Sequence, residues 1–205
     1  VSYNSTVGGT STGAITLGAA TLADGVTLTV GTGIGNALSL SSVTGTAGGS
    51  TSNLTINTTG AVTVGAVGTD IGTITVTNSG GITFSGAVSA TTVTLTNTTG
   101  TIAFNDNLTA TTLNTAAQAY NVSMVGSSNS ITSATTFSNT GTVTLGVNAG
   151  TSLFAGGLVV TSPSSLTIAG LISTNSAAVS LSASAKTVTL SGVDVVISTY
   201  ADAGL

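Results

Sequence analysis

Residues 57–64 read NTTGAVTV, residues 78–84 NSGGITF, residues 97–104 NTTGTIAF and residues 139–145 NTGTVTL. Each stretch sets Asn and a hydroxyl residue ahead of glycine, then alternates apolar with small residues. Alternation at a period of two sends aliphatic side chains to one face of an extended strand and hydroxyls to the other. The stretches begin 21, 19 and 42 residues apart, the last being twice 21. NSAAVSL at Asn175 comes 36 residues later and is read as two further steps of 18. The missing member is expected near Gln118, with Val122, Ser123 and Met124 in the strand slot. The first apolar residues keep the same beat: Val62, Ile82, Ile102 and Val122 are each 20 apart, and Leu54 to Ile74 repeats that step in a second strand.

The alternation recurs outward in both directions, in AITL (14–17), VTLTV (26–30), NLTI (53–56), TITVT (73–77), TVTLT (92–96), LTIA (166–169) and TVTL (187–190). Clusters of Gly, Asn, Ser and Asp separate the runs and supply turn conformations, as does Pro163 in TSPSS. TTLNTAAQAY (111–120) is the nearest approach to a helical period and is read as a strand and a turn.

A constant period with drifting residues is the mark of stacked coils, because no coil can bury its inner face without neighbours above and below. A hairpin-built sandwich also has many short strands, but individual turns set its spacing and need not hold it at 20 over successive units. The fold is therefore read as all-β, a parallel β-helix (β-solenoid) in one domain over residues 1–205, with about ten coils of ~20 residues and a length of about 48 Å. Val62, Val64, Ile74, Val76, Ile82, Phe84, Val93, Leu95, Ile102 and Phe104 are expected inside. Thr63, Thr75, Thr83 and Thr94 are expected outside. Asn57, Asn78, Asn97 and Asn139 are expected at turns, each amide bonding turn backbone and the same amide in the next coil.

Composition narrows the function. The 205 residues include 28 Gly, 44 Thr and a single Pro, with Lys and Arg totalling 1, Asp and Glu totalling 5, and no His or Cys. Only 3% of residues are charged, against about a quarter in an ordinary soluble domain. Acid–base, nucleophilic and metal chemistry draw on the residue types that are scarce here, so no enzyme, cofactor or metal site is expected. Lys186 alone and a net charge of -4 cannot neutralise phosphates, which sets nucleic acid aside. No apolar run reaches the roughly 18 residues of a spanning helix, so no membrane span is expected. The N-terminus, Val1-Ser2-Tyr3-Asn4, has neither the basic nor the apolar segment of a signal peptide, so the chain is read as mature or as a segment of a longer repetitive protein. With 40% hydrophobic residues, it is also too apolar for a disordered chain.

The remaining chemistry is thin. Asp24, Asp70, Asp106, Asp194 and Asp202 are the only carboxylates, and Asp70 and Asp106, 36 apart, are the pair whose register comes nearest to two coils. A polysaccharide-degrading site on a β-helix would need such a pair, yet no Arg or Glu is present to complete it. Asp24-Gly25 and Asn105-Asp106-Asn107 could offer oxygens to Ca²⁺, but turn formation accounts for both. Sequons at Asn4, Asn53, Asn57, Asn97, Asn107 and Asn121 are expected by chance in so Asn- and Thr-rich a chain. Tyr3, Tyr120 and Tyr200 are too far apart to form a stacking platform. Thr-x-Thr runs such as 27–29, 73–77 and 94–96 raise an alternative, because ranked Thr pairs on a flat solenoid face resemble ice-binding proteins. Against it stands the reading that the pairs do not recur at one fixed place in each coil.

The N-[TS]-x-G-x-[VI]-x-[VF] motif, with AVTVGAV (61–67), GITFSGAV (81–88) and TIAFNDNL (101–108), resembles the β-strand repeats of filamentous-haemagglutinin-like adhesins and autotransporter passengers. That resemblance covers nearly the whole chain and implies a right-handed parallel β-helix at the bacterial cell surface, serving as adhesin, fibre or surface layer. This chain departs from an ordinary exposed rod in charge: residues 107 to 185, 79 in succession, carry none. The expectation is a non-enzymatic extracellular structural protein that self-associates head-to-tail or laterally, with cell-surface or glycan contacts.

Overall fold

The computed structural model describes residues 5–182 and 186–200, which contain strands, bends and turns and no helix. Every strand pairing is parallel, and the chain winds as a β-solenoid of about nine turns of ~21 residues. Each coil has three strand segments, so three faces run the length of the stack. The first face holds nine rungs, beginning at Ile15–Leu22 and Leu38–Gly45, passing through Ile82–Phe84 and Thr101–Phe104, and ending at Thr187–Leu190. The second face takes the later half of Ile15–Leu22 and continues to Val196–Ser198. The third face contains Thr27–Val30, Ser52–Asn57, Ile71–Asn78 and the later halves of Val88–Leu95 and Leu108–Thr115.

The inward positions of the first face form two vertical ladders. In one, Ile15, Leu38, Val62, Ile82, Ile102, Val122, Val143, Leu166 and Val188 lie one above another. In the other, Val64 is followed by Phe84, Phe104, Met124, Leu145 and Ile168, all fully buried. The rings of Phe84 and Phe104 stack with centroids 4.8 Å apart and planes 2° from parallel. That separation matches the spacing of neighbouring strands, so the solenoid geometry itself sets the stack. All ten side chains expected inside are buried, and Thr63, Thr75, Thr83 and Thr94 lie on the outer surface. Strand Asn121–Met124 fills the slot expected near Val122, and 111–120 is the end of a strand followed by a bend.

Three expectations need correction. There are about nine coils and not ten, because the coils near the N-terminus take 23 to 26 residues: Ser5 pairs with Leu28, and Leu28 with Leu54. Asn139 does not extend the outer Asn series. It sits three residues before Thr142–Leu145, as Thr98 sits three before Thr101–Phe104, and like Thr98 it is buried. The shorter N-T-G turn draws it inward by one position. Asn175 leads into Val179–Ser180, which pairs with Leu158–Val159 and so belongs to a different part of the coil; the first-face rung of that coil is Thr187–Leu190. Its spacing match was coincidental.

Removing the side chain of Phe104 leaves a hole facing Phe84 and Met124 in a core that nothing else can fill. Phe104→Ala is expected to destabilise the chain by about 3–5 kcal/mol. Thr83→Ala, on the outer side of the adjoining rung, should cost less than about 1 kcal/mol. Equilibrium unfolding in urea measures both.

Candidate functional site

The few ionisable groups are scattered by the winding. Asp24 and Asp70 stand at corners between the second and third faces, whereas Asp106 and Asp194 stand at corners between the first and second. Asp70 and Asp106 therefore occupy different corners and do not form a carboxylate pair. Asp202, Asn4 and Tyr3 lie outside the described residues. No group of three or more His, Cys, Asp or Glu comes together among the described residues. The two Ca²⁺ candidates act as turns. Gly25, at φ 68°, donates its N–H to Ser50 O at 2.7 Å. Asp106 Oδ1 accepts from the Asn107 N–H at 2.7 Å, and Asn107 Oδ1 accepts from Ser128 N–H at 2.8 Å. Lys186 donates to Ser162 O, one coil back.

Asn side chains mostly tie coil to coil. Asn53 Oδ1 accepts from Thr73 N–H at 2.9 Å, and Asn121 Oδ1 accepts from Thr142 N–H at 2.8 Å. Asn57 and Asn78 are register partners through their backbones, and of the expected amide-to-amide bonds the one seen runs from Asn97 Nδ2 to Asn78 Oδ1 at 3.5 Å. Beside it runs a buried column that sequence reasoning missed: Asn36, Thr58, Ser79, Thr98 and Asn139. Ser79 Oγ donates to Thr98 Oγ1 at 2.7 Å, the Thr98 hydroxyl donates to Ser79 O at 2.8 Å, and Thr58 donates to Ile34 O at 2.7 Å. The same hydroxyls accept from turn amides, Gly60 N–H to Thr58 at 2.9 Å and Gly100 N–H to Thr98 at 3.3 Å. The signal lay in the second letter of the N-[TS]-x-G motif, whose Ser or Thr points into the corner.

A second arrangement concerns the third face. Thr27, Asn53, Thr73, Thr92 and Thr112 form one outward column, and Thr29, Thr55, Thr75, Thr94 and Asn114 form the next. Three Thr-x-Thr pairs, 27–29, 73–75 and 92–94, thus share one place in the stack, whereas 53–55 and 112–114 have one Asn each at that place, so the pair does not recur in every coil. Coil length concealed them: the inward residues between the pairs, Leu28, Leu54, Ile74, Val93 and Leu113, are 26, 20, 19 and 20 apart. Register shifts fall between Ser52 and Asn53 and between Ile56 and Asn57, bracketing the outward pair without displacing it.

A third arrangement is the last coil. Leu190 is 60% exposed, although Ile168, its partner one rung below, is fully buried. Val193, Val196, Ile197 and Tyr200 are exposed beside it. No protein-family model matches the chain, and no curated protein or solved structure matches it.

Tyr120, the largest fully buried side chain among the described residues, closes the bend after Leu108–Thr115. Its hydroxyl donates to Leu95 O at 2.8 Å and accepts from Ala116 N–H at 2.9 Å. Burial pushes its pKa up from 10.0 to about 12, outweighing the hydrogen bonds from Ala116 and Thr115 that lower it. The folded state therefore holds this proton longer than the unfolded state. Its contribution is complete below pH 10 and is lost as the pH rises toward 12. Urea unfolding between these limits should show stability falling with pH, and Tyr120→Phe should flatten that slope while costing about 1 kcal/mol at neutral pH.

Proposed function

We propose that this chain is a non-enzymatic structural module working outside the cell, at the cell surface, where copies join end to end in a filament, surface layer or large adhesin. The observation carrying this reading is the stack of parallel coils in a chain of which only 3% is charged. Wherever a solenoid of this kind ends, its uncovered rung offers unpaired backbone groups and an apolar inner edge, both of which template another strand. Among the described residues, Val188 and Leu190 stand last in the two first-face ladders, at one end. Ile15 and Leu17 begin them at the other and are only partly buried. Laying Ile15 of a second copy on Val188, and Leu17 on Leu190, would continue both ladders without a change of register.

Such a contact joins different surfaces of the two copies, does not close on itself, and propagates. The lack of charge supports it, since a net charge of -4 over 205 residues does little to oppose association. Resemblance of the coil motif to bacterial adhesin and autotransporter repeats supports the same reading, with the work outside the cell, where glycans are available as contacts.

Negative-stain microscopy and sedimentation velocity of the 205-residue chain test the reading. Filaments that lengthen with concentration are expected, and Leu190→Lys should abolish them while leaving the melting temperature nearly unchanged. A monodisperse rod at every concentration, or release of reducing sugar from a polysaccharide, would overturn it.

A further inference from the structure

The third face is more uniform than strand formation demands. Outward strand positions accept any residue that suits a pleated, half-buried surface, including Val, Ile and Tyr. Over the five rungs from Thr27–Val30 to Leu108–Thr115, the ten outward positions of the two columns are eight Thr and two Asn. The first face presents a single outward column between its two inward ladders, in which Ser39, Ala103 and Ser123 interrupt the Thr. The second face is not uniform either, for Ser42 is followed by Ala66 and Thr44 by Gly68.

Branching at Cβ restricts Thr to few rotamers, so methyl and hydroxyl are held in repeated positions and little freedom is lost on contact. The array repeats about every 4.8 Å from rung to rung and about every 6.7 Å from one Thr to the next along a strand. These two repeats lie close to the oxygen spacings on a prism face of hexagonal ice. Hydroxyls so placed can stand in for lattice oxygens, and the methyls between them hold the intervening waters in cages. An ionised side chain would orient its own hydration shell against that lattice, and the five strands contain no Asp, Glu, Lys or Arg.

We propose that the third face is a binding site for crystalline water, with Thr73, Thr75, Thr92 and Thr94 at its centre, so that the chain adsorbs to ice. The face runs along the stack and stays open when copies join at their ends, so this site does not depend on the joint.

The test uses the amine-labelled chain, thermal hysteresis in a nanolitre osmometer and adsorption to a single ice crystal. Thr75→Tyr places a bulky ring in the middle of the array, and Thr83→Tyr places the same ring at an equivalent outward position on the first face. Circular dichroism and melting establish that both remain folded. The expected result is shaped crystals and a hysteresis gap for the parent chain, loss of most of that gap in Thr75→Tyr, and retention in Thr83→Tyr. Absence of hysteresis and adsorption in the parent chain would overturn the proposal, as would equal losses in the two variants. A Thr75→Tyr effect confined to lateral self-association or to glycan binding would also overturn it, assigning the face to another copy or to sugar.

Discussion

No coil of this chain has a core of its own. The inner residues of one lap, Ile82 and Phe84 for example, are covered by Val62 and Val64 on one side and by Ile102 and Phe104 on the other. Stability is therefore a property of neighbouring pairs, and an interior rung is secure only because it has two neighbours. The side chains can be small and the aromatics few because the same position recurs every 4.8 Å or so, and like packs on like.

Polar groups obey the same rule. Turn backbones at a solenoid corner are packed against the corner above, where water has little access, and their N–H and C=O groups must find partners within the protein. The column through Thr58, Ser79 and Thr98 supplies them, each hydroxyl accepting from its own turn glycine or donating to a carbonyl nearby. Asn139 does the equivalent with its amide, donating to Tyr120 O at 2.9 Å. Hydroxyls and amides do this work without the desolvation cost of an ion, which is consistent with a chain almost free of charge.

The parallel winding was legible because Val62, Ile82, Ile102 and Val122 fall 20 residues apart in a run of coils free of insertions. Legibility failed where residue number and rung number part company. Asn139 shares its letter with Asn97 but its place with Thr98, because its turn is one residue shorter. The face containing Val67, Val88 and Leu108 escaped notice because its strands run on into the next segment without a Gly or Asn boundary; Val88–Leu95 passes from the second face to the third within one strand. The Thr columns were hidden by steps of 26, 20, 19 and 20 residues, which look irregular in sequence and are regular in space. The Asp residues were readable as turn formers, and the corners they occupy keep Asp70 and Asp106 apart.

Two proposals rest on regular stacking: the joining of stacks end to end, and the binding of crystalline water by a ranked hydroxyl surface along one side. Both proposals require the rungs to remain parallel and in register along the stack. Pulsed electron-spin distance measurement between nitroxides at positions 16 and 189 tests that requirement most directly. These outward Thr residues lie eight rungs apart on the first face, so the account predicts one narrow distribution near about 38 Å plus label length. A broad distribution, or a peak at much shorter distance such as antiparallel hairpins would produce, would contradict it.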